Sequence, residues 1–261
     1  MKRTVFVFAV SLMMVFSAIA QQSGYIPDGA LLDGKTIVKG SITSPVFKTL
    51  DFSAERMLNR RLSLVLGTSF MPSGSFPYVH EIMDLVDMEQ ETEDLISAIK
   101  INTFSFSPEL RIYTGKGYGR GFYVSPYYRY ERFGLANMFV DFRLNQSTEN
   151  IMLKGDVDTH SAGLMTGYQW LVGKNRNIVI DWTILGAHYG VNSGNFTGRY
   201  EGSIEMTEEY RDIAQKAINK AFEDLPFIEA KATVREDNSA DGTISGPWAF
   251  LRGGLSIGLR F

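Results

Sequence analysis

The feature that most constrains this chain is an alternation of apolar and polar side chains with period two, repeated from segment to segment and carried to the last residue. Ala249, Leu251, Leu255, Ile257, Leu259 and Phe261 share one parity, and Arg252, Gly254, Ser256, Gly258 and Arg260 share the other, with only Phe250 breaking the polar row. Phe104, Phe106, Leu110 and Ile112 oppose Thr103, Ser105, Ser107, Glu109, Arg111 and Tyr113; Phe122, Val124, Tyr128 and Tyr130 oppose Tyr123, Ser125, Tyr127, Arg129 and Glu131. The same reading holds at Leu62–Phe70, at Ala162–Trp170, at Leu50–Glu55 and, over a shorter stretch, at Thr36–Thr43. It holds also at Ile178–Ile184, where Val179 and Leu185 intrude on the polar row. Period two is the geometry of a strand with two unlike faces, so these eight segments predict an all-β fold.

The connections are of two kinds. Asn59–Arg61, Thr114–Arg120 and Gly173–Asn177 are tight, with six Lys/Arg and no acid. Ser44-Pro45 is a turn, and about Pro72–Lys100, Gly134–Glu149 and Ser193–Ser245 are long. In chain order, short basic turns alternate with the other kind, as an eight-stranded antiparallel up-and-down barrel requires when both termini lie at the short-turn end.

Lys2 and Arg3, the apolar run Val5–Phe16 and the small residues Ala18 and Ala20 form a secretory leader pattern, so residues 1–20 are expected to be removed after Ala20. A segment 21–34 then precedes a barrel over 35–261. The run is shorter than a membrane-spanning helix, and no later run approaches 18 apolar residues. The absence of Cys excludes disulfides, thiolate metal sites and a Cys nucleophile. A formal charge of −3 gives no support for nucleic-acid binding.

Alternation alone does not say which face is inside. A soluble lipocalin-type barrel points its apolar face inward, and that reading stays open. The composition of the polar face favours the reverse: it is rich in Gly and Ser, and it carries Asp51, Glu55, Glu109, Glu131 and Asp181 against Lys39, Arg111, Arg129, Arg252 and Arg260. Five acids facing five bases suggest an internally neutralised lumen, which in eight strands is just wide enough for side chains and excludes an open pore. The other face would then form an apolar band that lipid, rather than water, covers. Tyr128, Tyr130, Tyr168 and Trp170 lie near strand ends, where such rings favour the headgroup boundary.

The leader, the segment Gly163–Leu171 before a Gly-Lys turn, and the closing Gly254–Phe261 resemble the small eight-stranded outer-membrane barrels of the OmpA/OmpX kind, in particular those of Bacteroidota. The resemblance implies an outer-membrane location, and it implies that Phe261 on the last strand is a signal for the outer-membrane assembly machinery. It covers the strands and not the two longest loops.

Three His are present: His80, His160 and His188. Eight-stranded barrels include lipid A deacylases with a Ser/His/acid set on the outer wall. His188, read as outward and near a loop end, keeps that rival open, although the final strand offers Ser256 without a His. Asp156, Asp158 and His160 are spaced to project from one strand face and could ligate a cation, but alternation does the same without metal. Gly115–Gly121 lacks the spacing of a phosphate loop. No catalytic residue, cofactor or metal is assigned.

The long loops carry helical patterns. Met206, Tyr210, Ile213, Ala214, Ala217, Ile218, Ala221, Phe222 and Leu225 form one stripe ended by Pro226, with Glu208 and Glu209 early and Lys216 and Lys220 later. Loop 73–100 shows shorter stripes at Val79, Ile82, Val86 and at Leu95, Ile96, Ile99, and it holds seven acids, Glu81, Asp84, Asp87, Glu89, Glu91, Glu93 and Asp94. Helical insertions at about 73–100 and 193–245 are expected either to cap the barrel mouth or to dock an extracellular ligand or envelope protein. The function expected is that of a non-enzymatic outer-membrane barrel; a lipid-modifying enzyme and an accessory subunit of an envelope transport complex remain alternatives.

Overall fold

The computed structural model describes residues 36–75, 100–115, 117–144, 147–200, 202, 204–223 and 229–261. The expected leader 1–20, the segment 21–34 and the acidic residues Glu81–Asp94 lie outside the described residues.

Among the described residues nine strands form: β1 (Thr36–Ser41), β2 (Leu50–Met57), β3 (Leu62–Ser75), β4 (Lys100–Tyr113), β5 (Gly121–Leu144), β6 (Ser147–Val172), β7 (Ile178–Arg199), β8 (Glu229–Val234) and β9 (Ser239–Arg260). A helix, α1 (Glu208–Glu223), lies between β7 and β8. β1 to β7 pair antiparallel in sequence order, β7 pairs with β9, and β9 returns to β1 with Val38 opposite Leu259. Eight strands thus close a barrel, and β8 is a ninth strand added to the upper part of β9, with Glu229 opposite Ser245. The first and last described residues meet at the short-turn end, where Phe261 and Thr36 exchange backbone hydrogen bonds. Local chemistry makes the turns: Asn59 Oδ1 accepts from the N–H groups of Arg61 and Leu62. At the β4–β5 turn Gly117, Tyr118 and Gly119 all take positive φ.

Strand length divides the barrel. β1 to β4 have 6 to 14 residues, whereas β5, β6, β7 and β9 have 22 to 26 and project past the rim as a four-stranded wall. The expected long loop Gly134–Glu149 is therefore corrected. β5 and β6 run on to pair Leu144 with Ser147, because alternation resumes in Val140, Phe142 and Leu144 after a register shift between Leu135 and Met138. Likewise β7 continues to Arg199 and β9 begins at Ser239, so strands occupy both ends of the span 193–245.

Along the long strands the apolar face changes sides. On β6 the outward residues run from Trp170, Leu164 and Ala162 to His160, Asp156 and Lys154, while the inward ones run from Gln169, Ser161 and Thr159 to Val157, Leu153 and Ile151. β7 does the same. Outward Trp182, Tyr189 and Val191 give way to Ser193, Asn195 and Thr197, and inward Asp181 and His188 give way to Phe196. The lower barrel is mainly apolar outside and mainly polar inside, where Ile37, Val65, Val179 and Met165 are buried among the polar side chains; the wall is mainly polar outside, apart from the exposed cross-strand pair Phe139 and Met152, and apolar inside.

α1 covers the wall's inner face. Ala214, Ile218 and Phe222, four residues apart, are buried with Val140, Phe142, Leu153, Phe196 and Ile244 in one cluster, and Phe222 stacks on Phe196 at 4.9 Å between ring centroids. Thr207 Oγ1 accepts from the N–H of Tyr210 at the helix start, and Glu208 and Glu209 occupy the first turn. Gln215 and Asn219, one turn apart, accept hydrogen bonds from the N–H groups of Val234 and Ala232 on β8, so the helix caps the free edge of the added strand.

Candidate functional site

Inside the short-turn half of the barrel the inward positions of β1, β2, β4 and β7 bring five charged side chains together. Lys39 Nζ lies 2.8 Å from Glu55 Oε2 and 2.6 Å from Asp181 Oδ2. Arg111 Nη1 lies 2.6 Å from the same Asp181 oxygen, and its Nη2 is 3.2 Å from Glu109 Oε2. All five residues are at most 4% exposed. Neutral donors complete the set: Tyr113 and Ser63 hydroxyls each donate to Glu55 Oε1 at 2.6 Å, and Tyr123 donates to Asp181 Oδ1 at 2.9 Å. Gln169 Oε1 accepts from Lys39 at 3.0 Å while its Nε2 donates 2.8 Å to the Gly119 carbonyl, fastening the β4–β5 turn across the end of the barrel. Each buried charge therefore has opposite charges and hydrogen bonds in low dielectric, the condition under which such a group can be held at all.

Close approach sets two glycines. A Cβ at Gly167 would collide with the Tyr123 hydroxyl, and one at Gly258 would collide with the Val38 carbonyl and stand 2.7 Å from Lys39 Cγ, so a larger residue at either position displaces a member of the network or the strand beside it.

One layer further from the turns, Arg129 Nη2 pairs with Glu131 Oε1 at 2.7 Å, and Arg252 reaches Glu109 Oε1 at 3.6 Å while its guanidinium lies over the Tyr127 ring. Tyr127 Oη is 2.9 Å from His188 Nδ1. Asp51 has inward parity and is half-buried, outside these pairs, and Arg260 is buried at the turn end near Asn177, whose carbonyl accepts from its backbone N–H. His188 is corrected from outward to inward: the register shift between Thr183 and Gly186 places one extra residue on β7, so Ile184 and Leu185 both face out and parity inverts beyond them. The same bulge accounts for Leu185 in the polar row. Phe261 faces outward and is 67% exposed.

The other candidates are also placed. Asp156, Asp158 and His160 share the outer face of β6, but each is engaged by β5: Arg132 holds Asp156 at 3.4 Å, the Tyr130 hydroxyl donates to Asp158, and Tyr128 Oη meets His160 Nδ1. Among the described residues no group of three or more His, Asp or Glu is arranged to hold a metal ion. Ser256 sits opposite Asp181 and Ser41 in the lower barrel, whereas His188 is opposite Phe250, six residues along β9. Sequence reasoning missed Tyr113, Tyr123 and Gln169 as network members; their inward parity was the available signal.

Among the described residues no helix is long and apolar enough to cross a membrane. A family model described as "Protein of unknown function (DUF3575)" matches residues 6–219. No curated protein matches the chain. Among solved structures the chain is similar to the N-terminal β-barrel domain of OprF from Pseudomonas aeruginosa, at 9% identity over 83% of this chain and 96% of that one with a TM-score of 0.29. It is similar to a major outer membrane protein from Thermus thermophilus, at 14% identity over 87% and 98% with a TM-score of 0.35. CarO of Acinetobacter baumannii matches at 13% identity over 87% and 97% with a TM-score of 0.33. With most of its length matched by that family model, this chain belongs to the DUF3575 family.

Proposed function

We propose that the protein is a non-enzymatic outer-membrane β-barrel whose lumen is sealed by a neutralised side-chain plug and whose wall and helix are presented outside the cell. The observation that carries this reading is the exchange of apolar and polar faces along β6 and β7. A single solvent around the molecule gives no reason for the exchange; lipid around the lower barrel and water around the wall require it. The exposed belt includes Leu64, Phe70, Phe106, Leu110, Leu164, Trp182 and Leu251, a continuous apolar surface of the kind soluble monomers avoid. Strands of 8 to 14 residues in β2, β3 and β4 suit a bilayer, which needs roughly 9–11. The plug argues for a sealed barrel in place of a pore.

Two partners follow from this reading: the assembly machinery, through the exposed Phe261 just after β9, and an extracellular ligand or envelope protein, through the segments 73–100 and 193–245. The test uses the pairing of Tyr200 N–H with the Asn238 carbonyl, which brings the two ends of the insertion together. Replacing residues 201–237 by a two-residue turn should leave a heat-modifiable barrel in the outer-membrane fraction. Loss of insertion would make α1 and β8 part of the barrel's own folding unit and overturn the division into plug and display surface.

A further inference from the structure

The short-turn end of the barrel carries cations that the plug does not neutralise. Arg60 and Arg61 in the β2–β3 turn and Lys174 in the β6–β7 turn are exposed, as is Arg56 on the outward face of β2. The three tight turns hold no acid. Inside the barrel Lys39 and Arg111 meet carboxylates at hydrogen-bonding distance, but Arg56, Arg60, Arg61 and Lys174 form no ion pair among the described residues. The fold nevertheless fixes where they stand. The Arg60 and Arg61 carbonyls accept from the N–H groups of Tyr118 and Tyr113, each at 2.7 Å, which fastens the β2–β3 turn to the β4–β5 turn. The Arg60 guanidinium lies 5.6 Å from the centre of the Tyr118 ring, and Arg56 Nη1 donates to the Thr36 hydroxyl at 3.0 Å. Like charges gathered without acids repel one another, so the barrel itself gains nothing from this arrangement.

The apolar belt reaches the same end. Leu64, Ile112, Phe122 and Trp170 are exposed on the outward face beside the turns, where Arg56 is the sole charged side chain among the described residues. Leu58 is 57% exposed and stands immediately before Asn59. Hydrocarbon that covers Leu58 therefore leaves Arg60 and Arg61, two and three residues further on, in the headgroup layer. Trp170, packed on Tyr168 at 4.6 Å between ring centroids and three residues before Gly173, marks the same boundary on the far wall. Arg56 lies between Thr36 and Leu64 on the belt, and its long stem can carry the guanidinium to that layer. The β2–β3 and β6–β7 turns are four strands apart in a ring of eight, on opposite sides of the barrel. Exposed cations spread round a rim do not converge on one small ligand. They match a plane of many anions, each met separately.

We propose that this rim docks on anionic phospholipid, with Arg56, Arg60, Arg61 and Lys174 donating to the phosphates of the leaflet at the short-turn end. The proposal rests on the outer-membrane reading above, which makes that leaflet the periplasmic one. The test reconstitutes the full chain in phosphatidylcholine bilayers and measures, by electron spin resonance, how much spin-labelled phosphatidylglycerol or phosphatidylcholine is immobilised on the protein. Phosphatidylglycerol should be preferred about threefold, which is the roughly fivefold contribution of one cation at an anionic surface diluted over the neutral remainder of the lipid shell. Added salt should shrink the preference. Arg56→Gln, Arg60→Gln and Arg61→Gln together should remove most of it, and the three corresponding changes to Lys should keep it. Arg143→Gln, Lys154→Gln and Lys231→Gln, an equal loss of charge on the wall, should leave it unchanged. Equal association of the two lipids with the wild type, survival of the preference without the turn arginines, or its equal loss in the wall variant would overturn the docking rim. Displacement by inorganic phosphate at matched ionic strength would assign the rim to a free anion, and a preference seen only after removal of residues 21–34 would show the rim already covered; either overturns the proposal. The heat-induced gel shift confirms that each variant is folded. Failure of the membrane reading looks different: neither labelled lipid would be immobilised at all.

Discussion

The lower barrel and the wall above it are built from the same strands, yet they obey opposite rules. In the lower barrel Trp170 and Trp182 face out and Gln169 and Asp181 face in; further along the same strands, Lys154 and Asn195 face out and Leu153 and Phe196 face in. Both arrangements satisfy the backbone through the same ladder. What differs is where apolar side chains go: onto an exposed belt below, which the proposed function gives to lipid, and under α1 above. The lower interior is consequently held largely by ion pairs and hydrogen bonds, with Ile37, Val65, Val179 and Met165 packed among them, and the upper interior by close packing of a helix on a sheet. The two regions should therefore respond differently to substitution.

The largest effect should come from Arg111→Met, which leaves Asp181 and Glu109 buried with weaker partners. The cost should be roughly 3–5 kcal/mol, seen as a lower urea midpoint for the heat-modifiable form, with wall amides exchanging as before. A change near zero would show that water reaches the plug. Ile218→Ala should cost roughly 2–5 kcal/mol by opening a cavity, but locally: amides of α1 and β8 should exchange faster while the barrel's midpoint stays put. If the midpoint falls with it, the two regions are one cooperative unit. Gln215→Ala combined with Asn219→Ala should cost about 1 kcal/mol per hydrogen bond and free the β8 edge. Concentration-dependent association in detergent would be the expected signature; a monomer at all concentrations would mean the edge is protected by other means.

The smallest effect concerns the β8–β9 hairpin. The hydrogen bond and charge of Arg235 hold the Asp241 carboxyl below its usual value. A folded value below the unfolded one contributes stability that is present above the unfolded value and disappears as pH falls through the folded value. Amide shifts near Arg235 should differ between the wild type and Asp241→Asn at neutral pH and converge in acid. A difference independent of pH would assign the effect to packing.

Much of the lower barrel was readable because a strand with unlike faces writes its period directly into the sequence. Leu62–Phe70, Phe104–Tyr113 and the last strand lie where alternation puts them, and the short basic turns sit at the end that holds Thr36 and Phe261. The wall was not readable in the same way. Val140, Phe142 and Leu144 alternate as clearly as any belt residue, but a bulge shifts their parity and α1 supplies their cover from far along the chain, so the stretch reads as a loop. His188 was misplaced for the same reason: one extra residue in β7 is invisible to a count of alternate positions.

Period, turn chemistry and composition alone determined that this chain makes strands of two faces joined in up-and-down order, because those properties are local and belong to a few neighbouring residues. Only the tertiary structure decided which charges meet, that Lys39 and Arg111 share Asp181, and that the apolar face changes sides. Those outcomes depend on register and closure, which are set by strands up to the full length of the chain apart, and a single inserted residue changes them.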